Sequence, residues 1–386
     1  MDPLSRLMAL RDRPTRRIVG LLSGTSADGI DAALVEIAGG GAGTGLTATV
    51  HRFRTYAYPD ALRARLLAGP GSAAEVAELD VLVGDAFADA ALALLDGHAD
   101  RADLLASHGQ TIAHLPRSAG GAGATLQIGE PAILAERVGL PVVSDFRARD
   151  VAAGGEGAPL VPLADFLLFG RAGRVRALQN IGGIANVTIV AARLEELLAF
   201  DTGPGNMPLD DATRIATGGA EAYDRGGARA ARGTIDRPLV AQLLAHPFFA
   251  LPPPRSTGRE AFGHDFVAPL AARFAGRPDD LLATLTRFVA ESIHASYDAH
   301  VSPRFSPDEV VVSGGGVHNA TLMTHLAELF APLPVVTTAG DGVDPDAKEA
   351  VAFAVLGNET LFGRPGNVPS ATGARGPRVL GKLTLA

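Results

Sequence analysis

The chain reads as an α/β protein of two domains built on one repeated plan, and three observations predict this. At 386 residues it is longer than one compact core usually holds. Short apolar strands alternate along it with Ala/Leu-rich helical stretches, the mark of α/β architecture. The pattern of strand, glycine turn and returning strand occurs twice, first at 18–37 and again at 175–190, each time at the head of a mixed α/β segment.

Composition narrows the class. Apolar residues make up 47% and charged residues 20%, as in a globular domain. The net charge of −8, with no Lys/Arg-rich run, argues against a nucleic-acid surface. Cysteine is absent, which removes disulfides and thiolate chemistry and fits a cytoplasmic protein. No apolar stretch reaches the ~18 residues needed to span a membrane. Residues 1–16 read as a short Arg-rich leader without the continuous apolar core of a signal peptide.

In order, Ile18–Leu22 reads as a strand, Ser23–Gly29 as a polar glycine turn, and Ile30–Ile37 as the returning strand. Gly39–Gly45 is a low-complexity connector. Ala61–Ala68 and Ala74–Leu95 carry helical periodicity. Leu104–Ser107 is a short strand running into His108-Gly109-Gln110-Thr111, followed by a helix over Pro131–Val138 and a strand over Leu140–Ser144. The second copy has Val175–Gln179 as its strand, Asn180–Gly183 as its turn and Ala185–Val190 as its return. A strand over Leu197–Phe200 then ends in Asp201-Thr202-Gly203-Pro204-Gly205-Asn206. Leu281–His300 is a long helix. Glu309–Val312 is a strand opening into Ser313-Gly314-Gly315-Gly316, with a helix from about Asn319 to Leu329 after it. A duplicated α/β unit with a central cleft is the architecture of the actin-like ATPases and sugar kinases.

Three glycine elements carry candidate chemistry. The tip Gly24-Thr25-Ser26-Ala27-Asp28-Gly29-Ile30-Asp31 can turn successive N–H groups toward an anion, and Asp28 could orient the waters of a Mg²⁺ ion. An ordinary polar turn reads equally from these residues. Asp201, at the end of an apolar strand, could be a metal-water ligand, a general base or a turn cap. Gly314 to Gly316, between strand and helix, allow close approach of the backbone to a ligand. His108 either bonds a sugar hydroxyl or is a satisfied structural histidine, and with His114 it lacks metal-ligand spacing. P-loop, dinucleotide-fold and protein-kinase motifs are missing.

These strings resemble a family. Leu22 to Asp31, Ser107 to Thr111, Gln127-Ile128-Gly129-Glu130-Pro131, Val143 to Arg147, Gly157 to Pro162, Asn180 to Asn186, Asp201 to Asn206, Ser256 to Glu260 and Ser313 to Asn319 are similar, in order, to the motifs of the anhydro-N-acetylmuramic acid kinases. Leu22 stands where that family often has Met, Glu156 where Gln is expected, and Ala261 where an aromatic is common.

The resemblance implies an actin-like, duplicated ribonuclease H-like fold with a central cleft that closes over its ligands. It implies a kinase that uses ATP and Mg²⁺ to open the 1,6-anhydro bond of a muramic sugar and phosphorylate O6. Asp201 would be the base. Gly24, Thr25, Ser26, Ala27, Asp28, Gly29, Ile30, Asp31, Gly182, Gly203, Gly205, Gly314, Gly315, Gly316 and Asn319 would hold the nucleotide, and His108, Gln110, Asp145, Arg147, Asn180 and Glu349 the sugar. Domain I would span 17–145, completed by 360–386, with the first phosphate loop and part of the sugar site. Domain II would span 146–359, with the second phosphate loop and the adenosine side. A homodimer is the family's expectation. The rival readings are another sugar kinase of this fold and a non-enzymatic actin-like nucleotide switch, which would turn ATP over slowly without a small acceptor.

Overall fold

The computed structural model describes residues 2–24, 26–40, 45–96, 101–117 and 120–386. Thr25 of the first glycine turn and residues 41–44 of the connector lie outside that set. The chain falls into two compact units, one of 1–169 with 347–386 and one of 170–346.

In the first unit, β1 (Thr15–Ser23), β2 (Ile30–Ala38) and β3 (Thr47–Tyr56) form an antiparallel meander. β4 (Leu104–Leu115) lies parallel to β1, β5 (Ala124–Ile128) pairs with the far end of β4, and β6 (Val142–Ser144) lies parallel to β4. The C-terminal strand Lys382–Thr384 closes the sheet against β6. β1 is buried along almost its whole length, as a central strand covered on both faces must be. Val19 and Leu21 enter the core formed with the helices Ala73–Leu94 and Pro131–Val138. Gly20 faces the other way, where a Cβ would stand 1.9 Å from the Ala350 carbonyl oxygen of the helix Lys348–Leu361. Glycine is what lets that helix seat on the strand.

In the second unit, β7 (Arg176–Ile181), β8 (Ile184–Val190) and β9 (Leu198–Pro204) repeat the antiparallel meander. β10 (Glu309–Ser313) lies parallel to β7, and β11 (Val335–Thr337) parallel to β10. The strand order β6-β4-β1-β2-β3 is therefore matched by β11-β10-β7-β8-β9, with the same pairing directions. That repetition is the duplicated ribonuclease H-like plan. The core lies under the helix Pro278–Ser296, which starts with Pro278 at its first position and two acidic residues in its first turn. The predicted helix end at His300 falls within Tyr297–Val301, which winds as a π-helix.

The helices Phe146–Ala152, Val161–Phe169 and Lys348–Leu361 lie with the first unit, whereas the sequence reading grouped 146–359 as domain II. Packing sets this partition. Lys348 Nζ is 2.9 Å from Asp165 Oδ1 in a buried ion pair, and a Cβ on Gly357 would meet Ala106 Cβ at 2.7 Å. The Arg-rich leader contains a helix, Pro3–Ala9, whose N-terminus is capped by Asp2.

Candidate active site

In the first unit, the glycine turn after β1 is braced from three segments. Ala27 sits in the left-handed region (φ 49°) and its N–H donates to the Gly24 carbonyl over 3.0 Å. Gln110 Nε2 donates to the same carbonyl over 3.0 Å, and Tyr58 Oη donates to Gln110 Oε1 over 3.2 Å. Arg63 donates to the Ala27 carbonyl over 3.0 Å and to Asp28 Oδ1 over 2.8 Å. A Cβ on Gly29 would lie 2.7 Å from Thr55 Cγ2 and 3.0 Å from the Tyr56 carbonyl, so a side chain there would force β3 to shift. Asp31 accepts from Thr55 Oγ1 over 2.6 Å. Gln110, assigned to the sugar from the sequence, thus holds the loop, and Asp28, assigned to metal waters, is an exposed partner of Arg63. Tyr58 and Arg63 belong to no quoted string, and the sequence carried no signal for them.

β4 extends well past the predicted Ser107, which puts His108 inside a strand and buries it. Arg147 Nε donates to His108 Nε2 over 2.8 Å, so the ring proton sits on Nδ1, 3.0 Å from the Gly109 carbonyl. The ring packs on Phe353, centroids 4.7 Å apart. Burial, aided by the Arg147 charge, holds the His108 pKa well below the ordinary value, and the imidazole is neutral. Arg147 Nη1 donates to the Gly157 carbonyl over 2.7 Å. Burial brings Arg147 down to about 10, with Glu349 and Asp150 opposing it, so the guanidinium stays charged at neutral pH. Burial raises Glu349 against the pull of Lys348 and Arg147.

Asp150, wholly buried, accepts from the Gly157 N–H, Asn367 and Thr372 at 2.7–2.9 Å and fixes the loop to which Arg147 is tied. Asp145 adopts a left-handed conformation (φ 54°), and its carboxylate pairs with Lys382. His108, Arg147 and Glu349 therefore come together, and Asp145 is turned to another partner.

In the second unit, β9 runs on through Asp201 to Pro204. Asp201 Oδ2 accepts from the Thr257 backbone N–H over 2.9 Å. The Asp201 N–H donates to the Arg255 carbonyl over 3.2 Å, and Arg255 Nε donates back to the Asp201 carbonyl over 3.0 Å. Burial pushes Asp201 up to about 7; the Thr257 N–H and the Arg255 charge act against the rise, and Glu260 adds to it. Arg255 was not nominated from the sequence. It sits behind Pro252-Pro253-Pro254 and directly before the quoted string Ser256 to Glu260, and that rigid approach is the one signal that could have flagged it.

The glycine loops around Asp201 interlock. The Gly182 carbonyl accepts from Asn206 N–H over 2.7 Å, and the Gly183 carbonyl accepts from Gly205 N–H over 2.9 Å. A Cβ on Gly205 would stand 2.2 Å from the Gly182 oxygen. Gly203 has φ 144° and abuts Phe249. Gly314, at φ 80°, lies against Asn180 Oδ1 and the Ile181 carbonyl, and Gly316 against the Ile181 side chain. Ser313 Oγ donates to Asn180 Oδ1 over 3.3 Å. Gly182, Gly203, Gly205, Gly314, Gly315, Gly316 and Asn180 are thus brought together by contact among three turns. Asn319, assigned to the nucleotide, instead caps the helix Ala320–Phe330 by accepting from the Leu322 N–H over 3.0 Å.

Among the described residues no group of three or more His, Cys, Asp or Glu side chains could enclose a metal ion, and no helix is long and apolar enough to cross a membrane. In the second unit, the half-buried Asp201 carboxyl poised near neutrality suits acid–base work; in the first, Arg147 paired with the buried His108 suits a polar, anionic ligand.

A family model described as anhydro-N-acetylmuramic acid kinase matches residues 16–386. The curated anhydro-N-acetylmuramic acid kinase of Caldanaerobacter subterraneus subsp. tengcongensis is 42% identical, with 99% of this chain and 100% of that protein covered. That of Salinibacter ruber is 44% identical, with 99% of each covered. Among solved structures, the activator of the 2-hydroxyisocaproyl-CoA dehydratase from Clostridium difficile, with bound ADPNP, is similar at a TM-score of 0.46 and 11% identity, over 90% of this chain and 96% of that one.

Proposed function

The chain belongs to the anhydro-N-acetylmuramic acid kinase family, and from that premise we propose that it converts 1,6-anhydro-N-acetylmuramic acid, ATP and water into N-acetylmuramic acid 6-phosphate and ADP. The reaction belongs to the recycling of cell-wall peptidoglycan. Two bonds change hands at the sugar. Water attacks the anomeric carbon from the face opposite the bridge, as in an inverting glycosidase, and the C1–O6 bond breaks. O6 then attacks the γ-phosphorus, and the bond to the β-phosphate oxygen breaks. Because the phosphoryl group takes up the charge developing on O6, no general acid is needed and one carboxylate base suffices.

Asp201 carries the reading. Its half-buried carboxyl is held by the Thr257 N–H and ionises at about 7, close to the optimum for taking a proton from water at neutral pH. In the first unit, the charged Arg147 is oriented by His108 and Gly157, which suits a bidentate contact to the lactyl carboxylate of the sugar; Glu349 faces sugar hydroxyls beside it. The Gly24–Asp31 turn cradles phosphates, and the interlocked turns that carry Gly182, Gly203, Gly205 and Gly314–Gly316 offer the nucleotide their backbone N–H groups. A Mg²⁺ ion would be held mainly by nucleotide phosphates with one or two carboxylates, and would neutralise charge on the transferred group; Asp28, through water, would be the turn's carboxylate toward it, Asp31 being taken by Thr55. We further propose a cytoplasmic homodimer, as the family reading suggests.

The test is sugar-dependent ADP release by wild type and Asp201→Asn, with the product identified by mass. A product heavier by one phosphate and one water, lost in the variant, supports both halves of the chemistry. A phosphate without the water would reduce the enzyme to an ordinary hydroxyl kinase with Asp201 misassigned. Absence of any sugar dependence would favour the nucleotide switch.

A further inference from the structure

Arg255 is a buried cation that the chemistry above leaves without a task. Its guanidinium donates through Nε to the Asp201 carbonyl, through Nη1 to the carbonyls of Phe249 and Leu251 and to His300 Nε2, and through Nη2 to Ser296 Oγ, at 2.8–3.3 Å. It lies over the rings of Phe200 and Phe248 at 5.4 and 4.7 Å. No carboxylate is among its hydrogen-bond partners in the described residues, which is unusual for a buried arginine.

Several of these contacts lead to Asp201 or to the strand that carries it. The Asp201 N–H returns a bond to the Arg255 carbonyl, so the two residues grip one another by main chain and side chain together. Two residues on, Thr257 supplies the donor to the carboxylate. Ser296 also donates to the Thr202 carbonyl, which ties the strand end to the helix Pro278–Ser296 through the same hydroxyl. His300, in the π-turn, accepts from Arg255 through Nε2 and is edge-on to Phe200. Its neutral form is favoured by burial and by the Arg255 charge.

We infer that Arg255 is a positioning residue for the general base: it fixes the main chain at Asp201 and supplies, from inside the fold, the positive charge that favours the carboxylate form. The charged groups acting on Asp201 are Arg255, which favours its ionisation, and Glu260, which opposes it. Arg255 itself touches no substrate in this account. The inference rests on Asp201 being the base.

The experiment is the pH dependence of kcat/KM and kcat, from pH 5 to 9, for wild type, Arg255→Gln and Arg255→Lys, with folding checked by thermal melting and nucleotide binding. Arg255→Gln removes the charge, so the acid limb moves up by about half a pH unit or more. Arg255→Lys keeps a charge but not the fork; the limb stays within about 0.3 units of wild type while kcat falls roughly tenfold at unchanged KM for both substrates. A limb that stays put in folded Arg255→Gln overturns the inference, and so does wild-type kcat in Arg255→Lys, which decides the matter alone if the glutamine variant does not fold. An active Asp201→Asn enzyme would instead sink the base assignment itself; an inactive one with an unmoved Arg255→Gln limb would sink only the role of Arg255.

Discussion

At the scale of single residues, Asp201 shows how a functional group is set against stability. Burial raises its pKa to about 7, above the ~3.9 of a carboxyl in an unfolded chain. A base must be ionised to act, so kcat/KM should hold level above pH 7 and fall about tenfold per unit below it, a limb that a pH-rate profile would reveal. For stability the sign is reversed. The folded state binds this proton more tightly than the unfolded state, so the carboxylate disfavours folding most above pH 7, and the penalty shrinks as pH falls toward 4. Asp201→Asn keeps an acceptor for the Thr257 N–H and sheds the charge. It should melt higher than wild type at pH 8, with the difference narrowing at pH 5. Equal melting temperatures at both pH values would refute the raised pKa of Asp201.

At the scale of elements, strand ends and helix starts place the chemistry. β4 and β9 run further than the apolar pattern predicts, because polar Gln110 and Asp201 sit in pairing positions whose backbone bonds are satisfied by neighbours, with His108 carried across the register shift between Ser107 and Gln110. The helix Ala320–Phe330 starts on Asn319, which accepts from Leu322 N–H. Asn319→Ala should therefore cost about 1 kcal/mol of stability, whereas Asn319→Asp, also a good cap, should cost little. Chemical denaturation of both variants tests this; if both lose nucleotide affinity and neither loses stability, the residue acts on the nucleotide and not on the helix.

At the scale of the whole molecule, the first unit is discontinuous in sequence. It is completed by 347–386, whose helix Lys348–Leu361 seats on Gly20. Lys348 and Asp165 form a buried ion pair close to where the chain leaves that unit and where it re-enters. Removing one member of a buried pair strands the other charge, so Lys348→Met should destabilise by about 3–5 kcal/mol, and adding Asp165→Asn should restore a large part of it. Calorimetry of the single and double variants gives the comparison. A single variant with the wild-type melting temperature would mean that the pair contributes nothing to holding the segment in place.

The sequence by itself determined the α/β class, the doubled hairpin, the order of the glycine turns and the family. Those features are local, since glycine turns, apolar runs and uncommon strings such as Asn180 to Asn186 show in a few adjacent residues. β3 is not legible in the sequence: its exposed/half-buried alternation breaks at His51-Arg52, and small Ala48 and Val50 with charged Arg52 and Arg54 give it only a weak apolar signal. Only the tertiary structure decided which polar residues are partnered and by what. It gave Arg147 to His108, Gln110 to the Gly24 loop, Asp145 to Lys382 and Arg255 to Asp201. It also put the Lys348 helix with the first sheet. These partners lie far apart along the chain, and a side chain's charge state and orientation follow from burial and from whichever distant group folding brings within hydrogen-bond reach.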